Sequence, residues 1–153
     1  MTTEPHQTLA QRRLAAKAAR QRVNERELER EIYDAATIQG LTQRQISDLV
    51  GTQSQATIQR LLRRVSEDPT QLDEKPAEVI DKRTAGIITT EEMMKKLLGW
   101  QYTFGQVACI GDVATDAYIT GDWDAIETAY YQDQLTDEEF QQLADRQRNA
   151  ALP

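Results

Sequence analysis

Apolar residues recur at helical spacing in several separate stretches of the chain. From Leu28, the series Leu28, Ile32, Tyr33, Ala35, Ala36 and Ile38 follows the three- and four-residue steps that place side chains on one helix face. The stretch before it, Gln11 to Arg22, is rich in the good helix formers Ala, Arg and Gln, with Leu14 as its single large apolar side chain. We therefore expect helical character over residues 8–39. Gly40 supplies the stop, because glycine adopts the left-handed conformation of a helix end. Thr42, three residues before Gln45, forms a capping-box pattern that opens a second helix burying Ile46, Leu49 and Val50. Gly51 ends it. A third helix follows Ser54, carries Ile58, Leu61, Leu62 and Val65, and stops at Asp68-Pro69.

Residues 67–76, EDPTQLDEKP, are polar, acidic and proline-bounded, and read as a linker. Beyond them the chain echoes itself. The segment from Gly86 to Glu92 resembles that from Asp133 to Glu139, and each has a threonine (Thr89, Thr136) three residues before a glutamate (Glu92, Glu139). Helical stretches are expected over 77–85, 90–98, 123–132 and 137–148, as two similar helical hairpins. Residues 100–121 between them read as a loop with one short β-hairpin.

Length changes the picture little: 153 residues suit one domain or two small ones. Charge changes it more. Cut at Ser66, the first part carries 11 Lys+Arg against 7 Asp+Glu, and the remainder 7 against 18, so a net charge of −7 conceals a basic half and an acidic half. The basic half suits a polyanion, which the acidic half would repel. No apolar run is long enough to span a membrane, and no apolar stretch near the start suits a secretory signal, so a cytoplasmic protein is expected.

The segment LTQRQISDLVGTQSQATIQRLLRRV, residues 41–65, resembles the helix-turn-helix unit of bacterial DNA-binding proteins, the resemblance covering about residues 25–66. The resemblance implies a bracing helix, a second helix, a turn at Gly51 and a third helix lying in the major groove. Gln55 and Gln59, four apart on one exposed face, suit bidentate pairing with adenine; Ser54, Thr57 and Arg60 complete the expected base-contacting set. Thr42, Gln43, Arg44, Gln53, Arg63 and Arg64 are expected to contact phosphates. The turn departs from the common pattern: Thr52-Gln53 stand between Gly51 and Ser54, without the usual apolar plug. A second register, capped at Thr52, therefore stays open beside the one capped at Ser54.

The expected architecture is mainly α. It comprises a basic arm or helix extension over 1–24, a helix-turn-helix domain over 25–66, the linker, and an acidic helical domain over 77–153 for oligomerisation or partner binding. The arm's Arg12, Arg13, Lys17, Arg20 and Arg22 read either as a solvated face or as phosphate or minor-groove contacts. Trp100, Tyr102, Trp123, Tyr130, Tyr131 and Phe140 read as the acidic half's core, or as an exposed patch for a partner. Cys109 reads as a buried inert thiol. With one histidine, His6, and one cysteine, neither a Cys/His zinc site nor a Ser/His/Asp set can be assembled. Asp112, Asp116, Asp122 and Asp124 lack calcium-loop spacing, and Asp122 reads as a helix cap. No catalytic set and no cofactor are expected.

Two functions from different classes follow. One is a sequence-specific binder of double-stranded DNA, a repressor acting as a homodimer on paired half-sites. The other is an antitoxin-like or adaptor protein whose acidic half docks a basic protein.

Overall fold

The computed structural model describes residues 7–110, 113–119 and 121–151, and for 106–119 and 151 the backbone alone. His6 and Asp112 lie outside the described residues, as do the side chains of Cys109 and Asp116. The described chain is mainly helical. No helix among the described residues is long and apolar enough to cross a membrane.

Helix α1 (Leu9–Thr37) is continuous for 29 residues. Gly40 follows it with φ 71°, the conformation a chain leaving a helix needs. Helix α2 (Gln43–Val50) opens on a full capping box: Thr42 Oγ1 accepts from the Gln45 N–H at 3.1 Å, and Gln45 Oε1 accepts from the Thr42 N–H at 2.9 Å. Helix α3 (Gln55–Glu67) runs to Asp68, and a 3-10 turn follows over Pro69–Leu72. Packing divides the chain into two compact units, one formed by Gln21–Glu74 and the other by the chain through Arg20 together with the residues from Lys75.

In the Gln21–Glu74 unit, Ile32, Ile46, Ile58, Leu61 and Val65 form the buried core. One expectation fails here. Leu49 is 77% exposed and Val50 only half-buried, so α2 buries Ile46 alone. An eight-residue helix has little more than two turns, and one apolar position per turn meets the neighbours while Leu49 is left facing an open groove. The segment read as a linker has structure of its own. Asp68 accepts from the Thr70 N–H at 3.2 Å, the turn packs against α3, and Arg30 Nε donates to the Leu72 carbonyl at 2.7 Å.

The other unit holds α4 (Pro76–Thr84), α5 (Thr90–Leu98), α6 (Trp123–Tyr131) and α7 (Asp137–Ala151). Helix α4 packs on α5 and α6, and α7 packs on the same two. The sequence echo has a backbone counterpart. Gly86 and Asp133, at equivalent positions, both have positive φ, 77° and 60°. After each, an N–H reaches back five residues to close the helix end: Ile87 to the Lys82 carbonyl and Gln134 to the Ala129 carbonyl, both at 2.8 Å. The core is Val79, Ile80, Met93, Met94, Leu97, Trp123, Ile126, Leu135 and Leu143.

Strands β1 (Gln106–Ile110) and β2 (Val113–Ile119) pair antiparallel, Val107 opposite Tyr118 and Ile110 opposite Val113, with an irregularity between Val107 and Cys109.

Two aromatic and cap expectations are corrected. Tyr131 is 79% exposed, whereas Tyr102, Tyr130 and Phe140 pack on the core around Trp123. Asp122 stands at the N-cap position of α6 without capping it. Its carboxylate instead accepts from Trp100 Nε1 at 2.8 Å and Thr103 Oγ1 at 3.0 Å, tying the connecting segment to α6.

Several part-buried polar side chains in this unit meet partners distant in sequence. Arg83 donates both guanidinium ends to Glu139, at 2.8 and 2.9 Å, and also donates to the Gln134 carbonyl at 2.7 Å. Gln134 Nε2 donates to Asp81 at 3.0 Å. Burial alone would raise the Glu139 carboxyl, but the Arg83 bonds and the Thr136 N–H outweigh it and hold the group below the ordinary glutamate range.

Candidate nucleic-acid interface

The α2–turn–α3 segment is built around one backbone device and one side-chain tie. Gly51 takes φ 79°, a left-handed conformation that costs a residue with a Cβ about 1 kcal/mol or more, and its N–H donates to the Ser47 carbonyl at 2.9 Å. Ser47 Oγ then donates to the Gln53 carbonyl at 2.6 Å. This bond pins the turn where an apolar plug is lacking. Ser47 did not stand out in the sequence, because a serine on a short helix signals nothing until its acceptor is placed.

The cap settles the register. Ser54 has extended backbone, its Oγ accepts from the Thr57 N–H at 3.2 Å, and α3 starts at Gln55. The register capped at Thr52 is not the one formed. Ser54 Oγ also lies 3.0 Å from Thr57 Oγ1, so the two hydroxyls satisfy one another in the free protein.

Ile58, Leu61 and Val65 fix the buried side of α3. At about 100° per residue, Ala56, Gln59, Arg60 and Arg63 then lie opposite, with Gln55 on one flank and Thr57 and Arg64 on the other. Gln55, Thr57, Gln59, Arg60, Arg63 and Arg64 are all exposed. No hydrogen bond or ion pair among the described residues engages the side chains of Gln55, Gln59 or Arg63.

The second flank is different. Thr57, Arg60, Leu61 and Arg64 line a shallow cleft of about 420 Å³ with Gln53 and Glu29 of α1. Arg64 donates to Glu29 at 3.4 Å, both side chains being about half exposed, and Arg60 Nε donates to the Ala56 carbonyl at 3.3 Å. Arg64 would have to leave a weak surface pair to meet a phosphate. Gln53 is half-buried, with its carbonyl already used.

Thr42, Gln43 and Arg44 are exposed at the start of α2. Thr42 spends its hydroxyl on the cap, which takes the Gln45 N–H and leaves those of Gln43 and Arg44 without an intrahelical acceptor.

Cutting the chain at Ser66 hides where the charge sits. Residues 25–66 carry six basic and six acidic side chains. Five of the six acidic ones gather on α1, at Glu25, Glu27, Glu29, Glu31 and Asp34, and the sixth, Asp48, lies on α2, while α3 carries Arg60, Arg63 and Arg64 with no acid before Glu67. The positive surface is thus one helix face rather than a whole domain.

Among the described residues, no group of three or more His, Cys, Asp or Glu side chains could hold a metal ion. Comparison of the chain with family models, with curated proteins and with solved structures gives no match.

Proposed function

We propose that this protein binds double-stranded DNA in a sequence-specific manner, with α3 in the major groove, and acts as a repressor on paired half-sites. The observation that carries this reading is the outer face of α3. It is exposed, it carries Gln55, Gln59 and Arg63 with no internal partner among the described residues, and its charge is positive. Amide side chains free to offer a donor and an acceptor together suit the adenine edge, and arginine suits guanine or phosphate. Gly51, Ser47 and the Ser54 cap hold that helix in a defined register without using the outward side chains.

The division of labour follows from exposure and partners. Gln55, Gln59 and Arg60 read bases, with Ser54 and Thr57 contributing where their mutual bond opens. Arg44, Arg63 and Arg64 hold the backbone, assisted by Thr42, Gln43 and Gln53. One such helix spans only a short half-site, so selectivity requires two copies on one duplex.

Fluorescence anisotropy of a labelled random-sequence duplex, titrated with the full chain, tests the class directly. We expect binding at low salt that weakens steeply as salt rises. Absence of binding at low salt would overturn the reading and leave the adaptor alternative.

A further inference from the structure

We infer that α1 is an antiparallel dimerisation helix, docking against α1 of a second copy of this chain. The helix carries two kinds of surface. Ala19 and Val23 are fully buried and mark its covered side. The other side presents Leu14, Lys17, Gln21, Asn24 and Glu31, all exposed, together with Leu28, which packs in part against the Ile32 core, at alternating steps of three and four residues. That alternation is the spacing of a two-helix seam. Leu14 is 72% exposed on it.

At its C-terminal end the seam runs into an open groove of about 350 Å³, lined by Leu28, Ile32 and Ala35 of α1, Leu41, and Ile46 and Leu49 of α2. Leu49 is the apolar residue that the fold leaves bare.

Charge identifies the occupant and its direction. Within α1, residues 9–24 carry five basic side chains and no acidic one, whereas residues 25–37 carry five acidic and two basic. Two such helices in parallel would stack like on like. Antiparallel, each basic half lies along an acidic half. With Gln21 facing Asn24 of the second copy, Arg13 and Lys17 fall beside its Glu27 and Glu31, and Leu14 falls over its groove. The two-fold symmetry fills both grooves at once. The polar pair at the centre weakens the seam but penalises shifted registers, as buried amides do in coiled coils.

This inference stands apart from the nucleic-acid reading, because its test contains no DNA. Sedimentation equilibrium of the full chain at low salt is expected to show a monomer–dimer equilibrium. Arg13→Glu with Lys17→Glu is expected to weaken dimerisation about tenfold or more, and Glu27→Lys with Glu31→Lys likewise, since symmetry doubles each pair. All four changes in one chain restore the dimer. A spin label at Gln21 reports a short distance between copies, while one at Leu9 reports about 40 Å, the axial offset of antiparallel helices of this length. A monomer at every accessible concentration, failure of the fourfold variant to restore association, or short distances at both labels would each overturn the inference.

Discussion

Replacing Arg63 with alanine separates backbone holding from base reading. Arg63 is exposed on the outer face of α3 and has no partner among the described residues, so its removal leaves the fold intact. Three cations, Arg44, Arg63 and Arg64, are placed to meet phosphates. Three such contacts give a log–log salt slope of about −2.7 per bound copy, which is an affinity falling about 40-fold between about 50 and about 200 mM salt. Without Arg63 the slope drops to about −1.8, and the same salt range costs only about 12-fold. Anisotropy titrations at several salt concentrations, on a preferred and a scrambled duplex, read both quantities. The loss is expected to be the same on both sequences, with an unchanged thermal melt. An unchanged slope, or a loss confined to the preferred duplex, would refute the assignment of Arg63 to phosphate.

Other substitutions probe other parts of the account. Gln55→Ala and Gln59→Ala should erase the difference between preferred and scrambled duplexes while leaving the salt slope unchanged, as measured in the same titrations. Ile58 is fully buried, so Ile58→Ala should cost about 2–5 kcal/mol in urea unfolding, whereas Leu49→Ser, exposed in the single chain, should cost less than about 0.5 kcal/mol at concentrations where the chain is monomeric. Arg83→Ala should destabilise by about 3 kcal/mol, because it strands the buried Glu139 carboxylate, and Arg83→Met with Glu139→Met should recover much of that loss in the same unfolding assay. Because Glu139 is held below its ordinary range in the folded state, its ionised form contributes stability that is complete above the unfolded value and is lost as pH falls through the depressed one. Melts across acid pH should therefore show a smaller decline for Glu139→Gln than for the wild type.

What the sequence made legible was local. Caps and stops are chemistry of neighbouring residues, so Thr42–Gln45, Gly51, Ser54 and Thr136–Glu139 marked helix ends that the backbone also shows. The echo around Gly86 and Asp133 likewise pointed to one turn used twice. What stayed hidden depended on distant partners. The spacing of Ile46, Leu49 and Val50 defines a helix face but not how much of it a neighbour covers, and Leu49 lies where α1 and α2 leave a groove. Asp122 has the position of a cap, but Trp100 and Thr103 claim its carboxylate. Arg83, Gln134 and Asp81 look like surface residues until they are brought together across about 50 positions of chain. At the candidate interface, the outward placement of Gln55 and Gln59 followed from helical periodicity, whereas the Glu29–Arg64 pair and the Ser47 tie needed coordinates.

The most direct test is selection of fragments bound by the full chain from a pool of random duplex DNA. Enrichment of one short motif, present twice about a dyad, is expected, with loss of that enrichment in the Gln55→Ala, Gln59→Ala variant. Recovery of fragments with no common sequence, or of the same motif by that variant, would contradict the claim that the exposed face of α3 reads bases.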